Sequence, residues 1–223
     1  YRLRMTADYT ADLAFARQLA DLADQISTAR FGALDLHVDT KPDLTPVTDA
    51  DRAVAQALRN ALAEGRPHDA VVGEEYGSTP ATAAAKAEQR RWVIDPIDAT
   101  KNFVRGVPVW ATLIGLLDGD RSVVGVVSAP ALGHRWWGAK DLGSWTAKGG
   151  AIPQRNAVSG IARIADASVS YSDLSDWRER RTGFDALVVA AWRTRAYGDF
   201  WSHMLVAEGA VDISTEPEVS IWD

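Results

Sequence analysis

The sequence contains no cysteine, and this absence excludes disulfide bonds, thiolate nucleophiles and metal sites with cysteine ligands. It also contains no apolar run of roughly 18 residues, the length that a membrane-spanning helix needs. The N-terminal segment holds no apolar block of the kind found in signal peptides. We therefore expect a cytoplasmic protein that has no membrane partner.

Basic residues are outnumbered by acidic ones. The sequence has 24 Lys and Arg against 30 Asp and Glu, which gives a net charge of -6 over 223 residues. Proteins that bind nucleic acid without sequence preference carry a basic face, so we expect no nucleic-acid partner. Hydrophobic residues make up 47% of the chain, which is ordinary for a folded protein with one large domain or two small ones.

Hydrophobic periodicity indicates a layered protein of helices and strands. Amphipathic helices are predicted over residues 8–30 and 48–65, and the proline-containing stretch 39–46 between them is predicted to be a loop. A hairpin is predicted from 109–117 and 122–128. The other predicted elements are strands at 70–73, 91–95, 135–138, 144–147, 167–171, 192–196 and 210–214 and a helix at 200–208.

The most informative acidic cluster is Asp95-Pro96-Ile97-Asp98. A predicted strand ends in Asp95, Pro96 interrupts the ladder, and Asp98 follows. Two carboxylates held apart by a rigid turn can face one hard cation, which the Ile97 carbonyl is free to join, and Mg²⁺ prefers such oxygen ligands. A helix opening after Asp98 would offer its amides to a phosphate. The alternative is that Asp98 simply caps that helix.

Two more acidic clusters are less specific. Glu74 and Glu75 follow a predicted strand, where a charged turn is the competing explanation. Asp51 lies three residues after Thr48 at the start of the second helix, a spacing that also fits a capping box. The pair Asp49 and Asp51 is spaced like the aspartates of haloacid dehalogenases. Those aspartates follow an apolar strand, whereas a proline-rich loop precedes this pair, and the resemblance is disfavoured.

Taken in chain order, four segments resemble the inositol monophosphatase superfamily of Mg²⁺-dependent phosphatases. They are Lys41–Asp51, Gly73–Glu75, Trp92–Phe103 and Trp222–Asp223. The resemblance covers essentially the whole chain, and the third segment is highly specific in this context. Residues 102–114 and 195–200 look like those of actinobacterial histidinol-phosphate phosphatases.

The resemblance implies an α+β fold, arranged as a layered αβαβα sandwich. Residues 1–150 would form an N-terminal part with a mixed or antiparallel sheet that binds metal and phosphate. Residues 151–223 would form an α/β C-terminal part, and both parts are expected to act as one compact catalytic unit. Because family members continue beyond the Trp-Asp pair, the C-terminal part is expected to be truncated. The family is often dimeric, so a homodimer is expected.

The resemblance also assigns roles to residues. It implies that two or three Mg²⁺ ions are held by Glu74, Asp95, the Ile97 carbonyl, Asp98 and Asp223. It implies that Asp51 and Thr100 position the attacking water, with Glu74 counted among the catalytic residues. It implies that Asp98, Ala99 and Thr100 bind the phosphate. Ala99 stands where the family has glycine, and its methyl group is expected to crowd the phosphate or to resist a backbone angle that glycine takes easily.

The resemblance implies a phosphatase that hydrolyses L-histidinol phosphate in histidine biosynthesis. This small phosphorylated metabolite carries an ammonium and an imidazole, which an acidic and aromatic pocket suits. The candidate substrate-binding residues are Lys41, Trp110, Arg195, Asp199, Trp201 and Glu216. Asp199 has a competing explanation as a helix N-cap. The alternative functions are hydrolysis of an inositol, sugar or nucleotide phosphate, or binding of a phosphorylated metabolite without catalysis.

Overall fold

The computed structural model of the chain describes residues 8–75, 77–79, 90–175 and 177–223. It begins with helix α1 (Thr10–Arg30), strands β1 (Val38–Thr40) and β2 (Pro46–Thr48), and helix α2 (Asp49–Gly65). The prediction of a loop over 39–46 is therefore wrong at both ends, where residues 39–40 and 46 belong to strands. Thr40 pairs with Pro46 in an antiparallel hairpin, which Pro46 tolerates because it is the first residue of its strand.

The main sheet has eight strands. In spatial order they run β10-β9-β8-β7-β6-β5-β3-β4, and the pairing is antiparallel except between β3 and β5. Their bounds are β3 Ala70–Gly73, β4 Gly77–Thr79, β5 Arg90–Asp98, β6 Ala111–Asp118, β7 Arg121–Ala129, β8 His134–Ala139, β9 Gly143–Lys148 and β10 Gln154–Arg155. The predicted hairpin is the pair β6 and β7, joined by a tight turn.

One face of this sheet packs against α1 and α2. Successive side chains of a strand point to opposite faces, and alternate residues such as Ile114 and Leu116 of β6 are buried beside Leu19 of α1 and Leu58 of α2. Trp92 of β5 is fully buried in the same core. Trp92 and Ile94 of β5 both belong to this core, just before the acidic residues at the end of the strand.

The C-terminal part begins after β10 and builds a second sheet. Strands β11 (Ser168–Tyr171), β12 (Arg193–Arg195) and β13 (Ile213–Thr215) are parallel, with β11 in the centre. The short helix α3 (Thr100–Val104) follows β5. In the chain, α4 (Arg181–Ala190) connects β11 to β12, and α5 (Asp199–Ala207) connects β12 to β13. Helix α4 is absent from the elements predicted from the sequence.

Helix α5 lies between the two sheets. Its Phe200 packs against Ala111 of β6 and Ala129 of β7, on the face opposite to α1, and its Ser202 hydroxyl bonds that of Ser170 in β11 at 2.7 Å. The next residue of β11, Tyr171, points the other way and meets Phe184 of α4 edge to face. The layers are therefore helix, sheet, helix, sheet and helix, which confirms the predicted α+β sandwich. No helix in the described part of the chain has the length and apolar character to cross a membrane.

Candidate active site

A cavity of about 580 Å³ lies where the end of β5 meets the second sheet. It is bordered by the β1–β2 loop, the start of α3, the end of β11, the start of α5 and the C-terminal residues. The lining residues that carry the following argument are Glu74, Asp95, Ile97, Asp98, Ala99, Thr100, Ser172, Asp173, Asp199, Trp222 and Asp223. The cavity thus joins most of the acidic clusters that the sequence analysis singled out.

Three carboxylates converge at the base of this cavity. One oxygen each of Asp95, Asp98 and Asp223 lies within 4.8 Å of the others. The strand itself arranges the first two, because the register between β5 and β6 shifts between Asp95 and Asp98. Asp95 accepts the Ile97 amide at 3.0 Å, and Asp98 accepts the Phe200 amide at 2.7 Å. Strand geometry and backbone donors therefore fix these carboxylates.

Electrostatic repulsion within this group is strong. Burial, followed by the charge of Asp199, raises the pKa of Asp98 to about 8. Burial and the charge of Asp98 raise the pKa of Asp95 well above its ordinary value. Within the described ranges, no lysine or arginine forms an ion pair with the three carboxylates. Asp95 is buried, Asp98 is half-buried and Asp223 is exposed. Close like charges of this kind without a protein cation fit a hard divalent cation, whose preferred ligands are oxygen atoms.

Asp51 connects the second helix to this centre. The capping box is present, as predicted: the Thr48 hydroxyl accepts the Asp51 amide, and Oδ2 of Asp51 accepts the amide and the hydroxyl of Thr48 at 2.8 and 2.6 Å. The other oxygen, Oδ1, faces the Thr100 hydroxyl at 3.3 Å. The same hydroxyl lies 2.9 Å from the Ile97 carbonyl. Asp51 therefore caps the helix and reaches Thr100, and the two interpretations of Asp51 are compatible.

The surroundings of Asp51 raise its pKa toward neutral pH. Burial raises the pKa of Asp51 to about 6, the hydrogen bonds from Thr48 oppose the rise, and the charges of Glu75 and Glu74 add to it. A carboxylate with such a pKa can exchange a proton near neutral pH. Its only route to the cavity among these contacts is the Thr100 hydroxyl.

Ala99 adopts the left-handed conformation, with φ of 66° and ψ of 46°, and it is the N-cap of α3. The alternative in which Asp98 caps this helix is therefore wrong, because Asp98 is still a strand residue and its side chain bonds to α5. This left-handed conformation is one that glycine takes easily, in keeping with the glycine that the family has at this position. An alanine here costs about 1–2 kcal/mol of strain, and the surrounding structure supports it.

Glu74 lines the cavity, and its carboxylate is paired with a lysine. The Lys41 ammonium lies 2.6 Å from Glu74 and 2.7 Å from Glu75. Although burial disfavours the charged lysine, the hydrogen bonds to both glutamates raise the pKa of Lys41 above its ordinary value. Lys41, predicted to bind substrate, is held by these two glutamates.

The predicted substrate residues separate into two groups. Asp199 lines the cavity and is the first residue of α5, after the N-cap Gly198, with no side-chain capping bond, so its explanation as an N-cap is wrong. Glu216 does not line the cavity, but it accepts the hydroxyl of Ser172, which does, at 2.7 Å. The two residues come from different elements, and both bond the Ser172 hydroxyl, Glu216 through its carboxylate and Asp199 through its backbone amide.

Three other predicted residues lie away from the cavity. Trp110 has no exposed surface and packs between Phe103 and Phe31, so the prediction that it contacts substrate is wrong; it supports the site from behind. Trp201 is tilted against Tyr197 with ring centroids 5.8 Å apart. Arg195 is exposed and donates to the carbonyl of its neighbour Thr194. Neither of these two lines the cavity.

Lys101, Ser172 and Asp173 are among the polar residues of the cavity that sequence reasoning missed. Ser172 and Asp173 directly follow β11, whereas Asp95 and Asp98 are still within the end of β5. A signal was available, since the strand over 167–171 is predicted and polar residues at a strand end are candidates for a site. The same reasoning applied to the second sheet would have found them.

The similarity of this chain to known proteins covers the segments that form the cavity. The profile of the inositol monophosphatase family matches residues 8–223. The chain is 55% identical to a histidinol-phosphatase of Mycobacterium tuberculosis and 53% identical to one of Streptomyces coelicolor. These alignments cover 95% and 97% of this chain and 80% and 81% of the relatives. A solved inositol monophosphatase from Zymomonas mobilis is 31% identical with a TM-score of 0.80, covering 98% of this chain and 81% of that one.

From the cluster of Asp95, Asp98 and Asp223 we predict that Mg²⁺ raises the melting temperature more at about pH 8 than at about pH 5. The pKa of Asp98 is 3.8 in its ordinary state and about 8 when folded. The folded chain therefore holds a proton that the unfolded chain releases, and the metal-free protein loses stability as pH rises between these values. Melting in EDTA and in millimolar-range Mg²⁺ at both pH values measures the effect.

Asp98→Asn is the control for this prediction. It removes the titrating group, so the loss of stability with pH in EDTA should become shallower, and the Mg²⁺ shift should shrink. An unchanged midpoint with Mg²⁺ at both pH values would contradict a cation site at these carboxylates.

Proposed function

The chain belongs to the inositol monophosphatase family, and from this membership we propose that it hydrolyses L-histidinol phosphate to L-histidinol and inorganic phosphate. The observation that carries the proposal is the convergence of Asp95, Asp98 and Asp223 beside the pair Thr100 and Asp51. A group of carboxylates that suits a cation thus lies next to a hydroxyl that is backed by a carboxylate. The histidinol-phosphatases that share more than half of their aligned residues with the chain support the choice of substrate.

We propose Mg²⁺ as the cation, in two or three ions per site. Asp95, Asp98 and Asp223 would hold it, together with Glu74 and the Ile97 carbonyl. When bound, such ions offset the charge of the phosphate and lower the pKa of water. The phosphate itself would lie against Asp98, Ala99 and Thr100, at the start of α3.

Thr100 and Asp51 act on the nucleophile. Because the Thr100 hydroxyl donates its proton within the protein, to Asp51 or to the Ile97 carbonyl, its oxygen is free to accept a hydrogen bond from the attacking water. Asp51 keeps the hydroxyl in this orientation and, with its pKa of about 6, is available as a base above that pH. The water oxygen forms a bond to phosphorus and gives up a proton, which Asp51 takes by way of the Thr100 hydroxyl. The ester P–O bond breaks, the leaving oxygen takes a proton from solvent, histidinol departs as the alcohol, and Asp51 then returns its proton to solvent.

Two further carboxylates of the cavity suit the leaving group. Asp173 and Asp199 line the cavity together with Lys101. Burial and the charge of Glu216 raise the pKa of Asp199, and the charge of Lys101 opposes the rise. Carboxylates repel a phosphate but attract a primary ammonium. In histidinol phosphate the ammonium is on the carbon next to the ester carbon, and the imidazole is at the far end. A carboxylate close to the proposed phosphate site, such as Asp199 beside Asp98, therefore suits the ammonium.

The remaining proposals rest on the family resemblance. We propose that the protein is a cytoplasmic homodimer, and that residues 1–150 and 151–223 work as one catalytic unit. The position of Asp223 supports the last point, because this C-terminal carboxylate joins Asp95 and Asp98 of the first part.

Phosphate release from a panel of substrates tests the function. Histidinol phosphate, inositol phosphate, glycerol phosphate and a nucleotide 3′-phosphate are compared with Mg²⁺ and with EDTA. We expect the highest kcat/KM for histidinol phosphate and no release in EDTA. Preference for another ester would leave the phosphatase standing and overturn its substrate, and no release from any ester would indicate a binding protein.

Thr100→Ala should lower kcat by about a hundredfold, since a positioned proton-transfer partner contributes that much or more. Mg²⁺ affinity measured by calorimetry should stay nearly unchanged, because the carboxylate group is intact. Thr100→Ser keeps the hydroxyl and should retain most of the activity. If Thr100→Ala weakened Mg²⁺ binding as strongly as Asp95→Asn, the proposed division between water positioning and metal binding would be wrong.

Asp199→Asn should raise KM for histidinol phosphate by about ten- to a hundredfold, because a charge-assisted hydrogen bond is lost. KM for glycerol phosphate, which has no cation, should change little. Ala99→Gly is the matched comparison, since it alters the phosphate end and should affect both substrates alike. Equal effects of Asp199→Asn on both substrates would refute the contact with the ammonium.

A further inference from the structure

The convergence of Asp95 and Asp98 requires an irregular strand. Side chains of a regular strand alternate between its two faces, so two residues three positions apart point in opposite directions. In β5 they do not, since one oxygen of each lies within 4.8 Å of the other and of Asp223. Asp95 pairs with Leu113 of β6. The next pair along is Asp98 with Ala111, so three steps along β5 match two steps along β6. The extra residue forms a β-bulge, which re-aims the side chains that follow it.

A bulge disrupts the backbone ladder between two strands, and in β5 side chains supply partners to the backbone groups concerned. Pro96 has no backbone N–H that needs an acceptor. The Ile97 amide donates to Asp95 at 3.0 Å, and the Ile97 carbonyl lies 2.9 Å from the Thr100 hydroxyl. Both of these partners lie within three positions of Ile97 in the chain. They stabilise the bulge locally, and neither ties it to the neighbouring strand.

The Pro96 carbonyl differs from these groups, because its partner comes from β6. The Thr112 hydroxyl donates to it at 2.8 Å. Thr112 has no exposed surface, and it stands opposite the bulge, between the two residues of β6 that pair with the ends of the bulge. A buried carbonyl that loses such a donor keeps the full cost of its desolvation. The conformation of the bulge therefore depends on the Thr112 hydroxyl.

We propose that Thr112 is a positioning residue, whose hydroxyl fixes the bulge of β5 and thereby sets the separation of Asp95 and Asp98 for a divalent cation. The proposal rests on the proposed function, since that function supplies the cation. Because Thr112 does not line the cavity, it acts through the Pro96 carbonyl, one residue after Asp95 and two before Asp98. Groups that hold metal ligands in place change metal affinity by about ten- to a hundredfold when they are removed.

Thr112→Val tests the proposal, because valine keeps the shape of threonine and removes its hydroxyl. We expect the Kd for Mg²⁺, measured by calorimetry, to rise by about tenfold. In EDTA, hydrogen exchange of the Ile97 amide should become faster than in the wild type, because the bulge opens more often. Thr112→Ser keeps the hydroxyl and should recover the wild-type Kd and the wild-type exchange rate.

Thr146→Val is the matched control. It makes the same exchange in the same sheet, at a buried threonine of β9 whose hydroxyl donates to Asn156 at 2.6 Å. It should lower the melting temperature and leave the Kd for Mg²⁺ and the exchange of the Ile97 amide unchanged. If Thr146→Val weakened Mg²⁺ binding as much as Thr112→Val, general loosening of the sheet would be the cause and the proposal would fall.

If Thr112→Val does not fold, Thr112→Ala takes its place, since it removes the same hydroxyl and leaves room for a water molecule at the Pro96 carbonyl. The same changes are then expected.

The outcomes also separate this proposal from the proposed function. Mg²⁺ binding by the wild type with no change of Kd in Thr112→Val would overturn the role of Thr112 alone. A higher Kd without faster exchange of the Ile97 amide would overturn it as well, because the loss of affinity would then not arise in the bulge. No Mg²⁺ binding by the wild type would overturn the cation site of the proposed function, and with it the cation that Thr112 is proposed to serve.

Discussion

The site depends on the burial of like charges at the irregular end of one strand. Asp95 and Asp98 belong to β5, where the pairing with β6 shifts register, and backbone amides hold one oxygen of each carboxylate. Two such charges destabilise a folded chain unless a cation or protons compensate them. The core beneath β5 supplies the stability that tolerates this repulsion, and the repulsion makes the position selective for cations.

Several residues serve the fold and the site with the same atoms. Asp51 caps α2 with one oxygen and reaches Thr100 with the other. Lys41 compensates two glutamates while it holds the β1–β2 loop against the centre. For this reason, a structural explanation and a functional explanation of one residue are not exclusive here. The capping box predicted from the sequence is present, and it does not exclude a role for Asp51 in the site.

Local pattern explains what could be predicted, and tertiary packing explains what could not. Helices α1, α2 and α5, the β6–β7 hairpin and the capping box follow from periodicity and short-range contacts, and they are confirmed. Trp110 and Glu216 were chosen by residue type, but burial decides whether such side chains face solvent, and burial depends on the distant Phe31 and Ser172. The roles of the individual site residues stay predictions, since the structure shows their positions and not their chemistry.

The first turn of α5 has a consequence for how this enzyme can change. Its consecutive amides bind Ser172, after β11, and Asp98, at the end of β5. An insertion, a deletion or a backbone shift in this turn would therefore displace both partners together. Exchanges of side chains on this backbone leave that link between the two sheets intact, whereas a loop grafted from a relative into this turn would break it.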